Sequence, residues 1–384
     1  MSSKLRDVYI AGAGITKWGV YPDKYGYEHA SEAIVGILDD SGFQWDQIEA
    51  AYCGSVYQGT ASGHQAIKEL GFTGFPIVNV ENACSSGSSA FRLGYQAVAA
   101  GLYDAVLVFG MEKMPTGPIP STAFQPWQLK MGFNVQPANY ALESLDYMEK
   151  YGATVEDFAR VTVKNRQHGA LNPNARFQKP VTLEEVLASR DVAKPLKLLH
   201  SSPLADGAAG FLLCSSEKLI HRNKAVLVAS SVLTSSSYGE PVYMSGIIGS
   251  AKFPPTEGTV EMSVRQAYEI AGCGPEDIQV VQAYDTMAPA ELWDLEKLGF
   301  CAPGEAPSLL KSGYFNLGGK LPVNTDGGLM ARGHALGATA CGQIYEIVMQ
   351  LRGTAGARQV PGAKVGLCHA MGAGPNSSVT ILKK

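Results

Sequence analysis

Apolar and polar positions along the first part of the chain follow two alternating periods. Short, strongly apolar runs, DVYIAGAGI, IEAAYCGSV, PIVNV and DAVLVFG, have the length and composition of buried strands. Longer stretches with helical spacing of apolar residues lie between them, such as YEHASEAIVGILDDSG and the segment after NACSSG. Strands that alternate with helices in this way predict an α/β fold.

The same order of elements returns in the last part of the chain. AVLVASSVL, the helix MSVRQAYEIAGCG, the strand IQVVQAYD and the helix AELWDLEKLG precede a hairpin-like pair, AKVGLCHAMGAG and SSVTILKK. The correspondence indicates a duplication. We predict an N-terminal half at 1–114 and a C-terminal half at 223–384. Residues 115–222, richer in Pro, Asn, Gln and Arg, are interpreted as an inserted loop region that covers the site between the halves and includes the return to the N-terminal half.

Composition and charge exclude several classes of partner. The chain has 31 basic and 35 acidic residues without a Lys/Arg cluster, which argues against nucleic acid. Its start, MSSKLRDVYIAGAG, lacks a signal-peptide core, and no run reaches the roughly 18 apolar residues of a membrane helix. The seven cysteines are scattered and form no C-x-x-C pair, which argues against disulfides and a zinc site. We therefore expect a soluble cytoplasmic protein that binds no metal.

Two matching turns carry candidate chemistry. Cys84 in NACSSGSSAF and His334 in GGLMARGHALGATA each precede a small-residue helix, and each is followed three residues later by a glycine, Gly87 or Gly337. A helix N-terminus lowers the pKa of a thiol and offers free N–H groups to an oxyanion. A lone buried cysteine or a capping histidine is the ordinary alternative. The duplication favours a nucleophile, Cys84, and its base, His334.

Two strand ends add further candidates. Cys368 and His369 in LCHAMGAG lead into a glycine turn at Gly372 and Gly374, where a thiol or imidazole could move a proton and N–H groups could hold a thioester oxygen. Strand-end core residues are the alternative interpretation.

Tyr284 and Asp285 in QAYDTMAPAELW end the other buried strand. The phenol could donate to an enolate oxygen, and we expect Asp285 to cap the helix that follows it.

With these residues assembled, the chain resembles the thiolase superfamily over nearly its whole length. The resemblance rests on NACSSG, GMEKM, SSPLADGAAG, GGLMARGHALGATA and the terminal C-H-x-x-G-x-G turn. KLPVNTDGG before the histidine loop is similar to the branch related to sterol carrier protein x and its bacterial and archaeal homologues.

The resemblance implies a duplicated five-layered αβαβα fold with an inserted loop domain, a homodimeric core and ping-pong chemistry on coenzyme A thioesters. Cys84 would attack the 3-keto carbon and His334 would activate it. Cys368 or His369 would supply the second acid or base. Backbone N–H groups of Cys84 and of the Gly372 to Gly374 turn would form an oxyanion hole. CoA would be a substrate, and no tightly bound cofactor is expected.

The chain departs from the superfamily pattern at one loop. Common members carry Asn-Glu-Ala-Phe, and the sterol-carrier branch carries His-Asp-Cys-Phe, where this chain has Tyr284-Asp285-Thr286-Met287. A phenol therefore replaces the group that usually helps bind the enolate oxygen. This predicts an unusual branched or aromatic substrate, such as 2-benzoylsuccinyl-CoA. The histidine loop also has Ala335 where proline is usual, and we expect this to change little.

Three alternatives to thiolytic cleavage remain open at this level. They are a retro-aldol carbon–carbon lyase of steroid side-chain degradation with Tyr284 as base, a biosynthetic C-acyltransferase, and a scaffold or lipid-binding subunit without activity. Some members of this branch work with a small subunit that has a zinc ribbon and an oligonucleotide-binding fold. The resemblance therefore implies such a partner here. A carboxylate on the substrate would need a cation, and the sequence does not choose among Arg160, Arg166 and Arg176.

Overall fold

The computed structural model describes residues 5–117, 126–132, 134–236, 257–373 and 376–384. Its N-terminal elements alternate as the sequence predicts: β1 (Val8–Ile15), α1 (Gly26–Ser41), β2 (Ala50–Gly54), α2 (Ser62–Lys68), β3 (Ile77–Val80), α3 (Ser86–Ala99) and β4 (Ala105–Glu112). The insertion then contributes α4 (Pro126–Lys130), α5 (Gln136–Tyr151), α6 (Val155–Gly169), α7 (Leu183–Ala188) and the short pair β5 (Asp191–Ala193) and β6 (Leu196–Lys197).

The chain returns to the sheet with β7 (Gly207–Ser215) and continues through the C-terminal elements. These are β8 (Val226–Ser235), α8 (Thr259–Ala271), β9 (Val280–Gln282), α9 (Ala288–Lys297), α10 (Ala306–Lys311), α11 (Gly328–Arg332), α12 (Leu336–Arg352), β10 (Val365–Gly372) and β11 (Asn376–Lys383). No described helix is both long enough and apolar enough to cross a membrane.

The strand order displays the duplication. One mixed sheet of the described residues runs β3-β2-β4-β7-β1-β8-β11-β10-β9. In the first half β2 pairs parallel with β4, which continues antiparallel to β7 and β1. In the second half β9 pairs parallel with β10, which continues antiparallel to β11 and β8. Val323 forms an isolated parallel bridge to Val281 of β9, in the place that β3 occupies beside β2.

Helices and sheet form five layers. The outer helix α1 packs on β1 and β7, and the outer helix α8 packs on β8 and β11. Between the two halves of the sheet lie α3 and α12, which contact each other and strands of both halves. Three main apolar cores fill the spaces between these layers. The predicted duplicated α/β fold is therefore confirmed, and the halves meet at the two small-residue helices that follow Cys84 and His334.

Glycines allow the two central helices to approach closely. A Cβ on Gly337 would lie 2.6 Å from the carbonyl oxygen of Met111, and one on Gly87 would lie 2.7 Å from the carbonyl oxygen of Gly337. Real Cβ atoms do not come so close to backbone atoms, so a larger residue at position 87 would force α3 away from α12, and one at position 337 would force α12 away from β4. The two glycines that sequence analysis paired thus lie at the crossing of α3 and α12.

Candidate active site

Cys84 lies in a tight turn between β3 and α3. Ala83 has φ of 48°, in the left-handed region that side chains other than glycine rarely adopt. The Ser86 hydroxyl holds the turn, since it accepts the N–H of Asn82 at 2.9 Å and donates to the carbonyl of Ala83 at 2.6 Å. Helix α3 begins two residues after Cys84. The turn leaves the thiol half-buried at the N-terminal end of the helix.

His334 occupies the corresponding position, two residues before α12. Its backbone is held on both sides by the SSPLADG segment: its N–H donates to the carbonyl of Pro203 at 2.8 Å, and its carbonyl accepts the N–H of Ala205 at 3.0 Å. Burial, assisted by the charge of Arg332, lowers the pKa of His334 to about 3. The imidazole is therefore neutral near neutral pH and can accept a proton.

Thr339 determines which nitrogen of His334 carries the proton. Its hydroxyl donates to the carbonyl of Ala335 at 3.0 Å and lies 2.8 Å from Nδ1 of His334. A hydroxyl has only one proton, so toward the imidazole it acts as acceptor, and Nδ1 carries the hydrogen. Nε2 is then left with a free lone pair. This assignment follows from the hydrogen-bond pattern.

Tyr284 connects the two halves of the site. Its hydroxyl lies 3.5 Å from Nε2 of His334, and the two rings meet edge to face with centroids 5.9 Å apart. Burial raises the pKa of the Cys84 thiol to about 11, while a hydrogen bond with Tyr284 opposes that rise. Burial also raises the pKa of Tyr284 well above its usual value. The structure thus brings Cys84, Tyr284 and His334 into one cluster of neutral groups.

Cys368 and His369 belong to other clusters. Successive side chains of a strand point to opposite faces. Cys368 faces the central helices and shares an apolar core with Cys341 and Ile344. His369 faces α9, where its Nδ1 lies 3.5 Å from Oδ2 of Asp294, and both side chains are fully buried.

From β10, the methyl group of Ala370 belongs to the same small apolar cluster as Tyr284, and Met371 and Cys84 adjoin that cluster. Gly372 lies against the Cys84 turn, since a Cβ there would be 2.3 Å from the carbonyl oxygen of Asn82. Gly374 lies outside the described residues. The acid or base role of Cys368 or His369 stays a prediction, as does the oxyanion hole.

Asp285 caps a different helix from the one expected. Its carboxylate accepts the N–H groups of Leu329 at 2.8 Å and Met330 at 3.2 Å, in the first turn of α11 rather than of α9. Asn165 of the insertion helix α6 donates to the same carboxylate at 2.8 Å and to Glu291 at 2.7 Å. Lys164 pairs with Glu291 at 2.8 Å in a fully buried contact. The insertion therefore supports the loops that carry Tyr284 and His334.

Glu112, the glutamate of GMEKM, joins the two halves at the site. Its carboxylate accepts the N–H groups of Val56 and Tyr57 at 3.0 Å each and of Gly337 at 2.9 Å. The Gly337 N–H belongs to the first turn of α12, directly after the histidine loop. Burial raises the pKa of Glu112 to about 7, although these hydrogen bonds act to lower it. A motif that sequence analysis used only for resemblance thus positions the start of α12.

Two further residues near the cluster escaped sequence reasoning. Thr339 is part of GGLMARGHALGATA, but no local pattern distinguishes its hydroxyl from that of any helix threonine. Tyr140, on α5 of the insertion, is buried and stacks on Trp293 with ring centroids 6.5 Å apart. Burial raises the pKa of Tyr140 well above its usual value, and the nearby groups of Glu143, Asp294 and Cys84 contribute. No spacing in the sequence links Tyr140 to Cys84.

Comparison with known proteins agrees with this geometry. Residues 8–217 match the family described as "Thiolase, N-terminal domain", and residues 250–384 match "Thiolase C-terminal domain-like". Sterol carrier protein 2 of Bos taurus is 37% identical, with 99% of this chain and 73% of that protein covered. Benzoylsuccinyl-CoA thiolase subunit BbsB of Thauera aromatica is 36% identical, with 96% of this chain and 95% of that protein covered.

Solved structures agree as well. The Ltp2-ChsH2(DUF35) aldolase superposes with a TM-score of 0.85 at 28% identity and covers 99% of this chain and 98% of that one. Human mitochondrial 3-ketoacyl-CoA thiolase superposes with a TM-score of 0.74 at 16% identity, with both chains fully covered, and shares the fold. The chain belongs to the thiolase family and is an acyltransferase of that family.

Proposed function

We propose that this chain cleaves a 3-oxoacyl-CoA with free CoA by way of an acyl-enzyme on Cys84. The observation that carries the proposal is the Tyr284 hydroxyl, which lies 3.5 Å from the unprotonated Nε2 of His334 in the small cluster that Cys84 adjoins. Thiol and imidazole are both neutral before the reaction, since their pKa values are about 11 and about 3. The proton therefore leaves sulfur as sulfur attacks.

In the first half-reaction Sγ of Cys84 bonds to the 3-keto carbon and its proton passes to Nε2 of His334, with Tyr284 as relay. The oxyanion is held by the Cys84 N–H and the turn at Gly372. Its collapse breaks the bond between C2 and C3, and the electron pair goes to C2 of the departing acyl-CoA as its enolate. The His334 imidazolium returns the proton to that carbon.

In the second half-reaction the CoA thiol gives its proton to His334 and its sulfur attacks the acyl group on Cys84. The Cys84 thiolate leaves and takes the proton back, which restores the neutral pair. Protons and electrons balance with His334 as carrier. We therefore assign the proton transfers to His334 and Tyr284 rather than to Cys368 or His369, which lie in other clusters.

We infer a branched or aromatic acyl substrate of the 2-benzoylsuccinyl-CoA type. The support is the 36% identity to a benzoylsuccinyl-CoA thiolase subunit together with the phenol of Tyr284 at the enolate position. We also propose a homodimeric core and a small zinc-ribbon and oligonucleotide-binding-fold partner. The name of the Ltp2-ChsH2(DUF35) aldolase, which joins two components, supports a partner subunit.

A retro-aldol lyase is the second candidate, favoured by the likeness to that aldolase. Tyr284, with His334 behind it, would take the proton of a 3-hydroxyl group. The bond between C2 and C3 would break without attack by Cys84, and a carbonyl product and an acyl-CoA enolate would form. This reaction needs no free CoA and leaves no acyl group on the protein.

The test is incubation of the purified protein with 2-benzoylsuccinyl-CoA, with and without free CoA. Thiolytic cleavage yields benzoyl-CoA and succinyl-CoA only when CoA is present. Intact-protein mass spectrometry without CoA detects a benzoyl group, which Cys84→Ala removes together with the activity. Cys273→Ala, at a half-buried cysteine in the loop after α8, is the matched control and keeps both. Cleavage of 3-hydroxyacyl-CoA without CoA, unchanged in Cys84→Ala, would establish the lyase instead.

A further inference from the structure

Three arginines of the insertion differ in their partners. Arg160 pairs with Glu156 at 2.5 Å on the exposed face of α6. Arg166 and Arg176 form no ion pair with any carboxylate in the described ranges. Nη1 of Arg166 is buried and has no hydrogen-bond partner among the described residues. Both guanidinium groups are thus half-buried without a direct ion pair, although the carboxylate of Asp206 is near enough to raise the pKa of Arg176 against the effect of burial.

Both guanidinium groups meet on one aromatic ring. The guanidinium carbon of Arg166 lies 3.9 Å from the centroid of Phe177, and that of Arg176 lies 5.0 Å from it. The two charges are therefore no farther apart than the sum of these distances. Burial lowers the pKa of Arg166, and the charge of Arg176 lowers it further. Like charges held together out of water favour an anion between them.

The arginine pair, Arg166 and Arg176, borders the histidine loop. The N–H of Arg176 donates to the carbonyl of Arg332 at 3.1 Å, and that of Phe177 donates to the carbonyl of Ala331 at 3.0 Å. The Arg176 guanidinium donates to the carbonyl of Leu204, and Leu204 itself bridges to His334. The arginine pair and His334 are thus held by the same two segments, the histidine loop around Ala331 to His334 and the strand-like segment at Leu204.

We propose that the arginine pair binds an oxyanion of the thioester substrate. Guanidinium groups bind phosphate and carboxylate oxygens in a two-point fork, and both of these groups lie against the ring of Phe177. The anion is a phosphate of the CoA part or a free carboxylate of the acyl part. This inference rests on the proposed function, because it takes a CoA thioester as the ligand.

Binding to the full chain carrying Cys84→Ala separates the two sources without turnover. Calorimetry would compare the affinities for CoA, pantetheine, butyryl-CoA and succinyl-CoA. The acyl groups of the last two differ only in that succinyl carries a terminal carboxylate. If the site holds a phosphate, Arg166→Gln and Arg176→Gln each weaken every CoA ligand by about tenfold and leave pantetheine unchanged. If it holds a carboxylate, only succinyl-CoA is weakened.

Arg160→Gln is the matched control, because it removes an arginine of the same helix that already has a partner. Arg166→Lys, which keeps the charge, should restore part of the affinity and shows that a loss in Arg166→Gln is not a failure to fold. Affinities equal to those of Arg160→Gln for all four ligands would overturn the inference and leave the Cys84 chemistry untouched. Conversely, a chain that binds CoA through the arginine pair but never acylates Cys84 would overturn only the proposed function.

Discussion

The Tyr284 hydroxyl lies 3.5 Å from Nε2 of His334, while the Thr339 hydroxyl lies 2.8 Å from Nδ1 of the same ring. Since Thr339 donates its own proton to the carbonyl of Ala335, Nδ1 carries the hydrogen and Nε2 faces Tyr284 as a base. Thr339, on the side of the imidazole away from Tyr284, thus determines which nitrogen of His334 is protonated.

Tyr284→Phe should lower the rate of Cys84 acylation by about 100-fold, because it removes both the hydrogen bond to the thiol and the donor next to Nε2. Single-turnover kinetics with mass detection of the acyl-enzyme would measure it. Phenylalanine keeps the ring contact with His334, so the melting temperature should change little. An unchanged acylation rate would contradict a role for the phenol.

Thr339→Val should lower kcat by at least about tenfold and leave KM nearly unchanged, because the imidazole loses the acceptor that fixes its tautomer. Steady-state kinetics would separate the two constants. Thr339→Ser, which keeps the hydroxyl, should recover most of kcat. If serine and valine variants lose activity equally, the hydroxyl does not orient His334 and the methyl group of Thr339 matters instead.

Gly337→Ala should reduce the free energy of unfolding by roughly 3 kcal/mol, because the new Cβ would lie 2.6 Å from backbone atoms of Met111 and Ser55. Gly36→Ala in α1 is the control. Its Cβ would meet only the Cα of Gly14 at 3.8 Å. We expect the free energy of unfolding to rise by about 0.5–1 kcal/mol, because alanine is favoured over glycine inside a helix. Thermal and denaturant unfolding would measure both. A tolerated Gly337→Ala would disprove the close packing of α12 against β4 and the end of β2.

His168 should make the protein less stable in acid. Burial, followed by the charge of Lys164, lowers its pKa to about 4, and its ring is held neutral between the carbonyl of Asn324 at 3.1 Å and the N–H of Leu317 at 3.0 Å. The unfolded chain binds the proton below its pKa of about 6.5 and the folded chain does not. The neutral His168 therefore contributes up to about 3 kcal/mol to the free energy of unfolding. This contribution is fully present above pH 6.5 and is lost as the pH falls toward 4.

Denaturant unfolding of the wild type and His168→Gln between pH 4 and 7.5 would check this sign. The variant starts from a lower stability, because glutamine does not reproduce both hydrogen bonds, but its curve should be flatter as the pH falls below 6.5. Parallel curves for the two proteins would show that His168 titrates alike in the folded and unfolded chain.

Periodicity was sufficient to predict most elements and their order. The apolar runs and helical stretches of both halves correspond to β1–β4, α1, α3, α8, α9, α12, β10 and β11. These segments are locally consistent, since pattern and propensity favour the same element. The boundaries at 114 and 222 stay predictions. The cap formed by Asp285 was assigned to the wrong helix, because its partners in α11 lie more than 40 residues away along the chain and no local spacing reveals them.

Repeated local patterns, with small residues at Gly87 and Gly337, were enough to predict the fold, the duplication and the two turns that present Cys84 and His334. The side chains that surround those turns, by contrast, are established by the three-dimensional packing of the chain. The pleat of β10 places Cys368 and Ala370 on one face of the strand and His369 on the other. Packing then puts Ala370 against Tyr284, Cys368 in the core with Cys341, and His369 beside Asp294. Side-chain direction depends on strand register and sheet packing, which are settled by contacts between segments distant along the chain rather than by neighbouring residues.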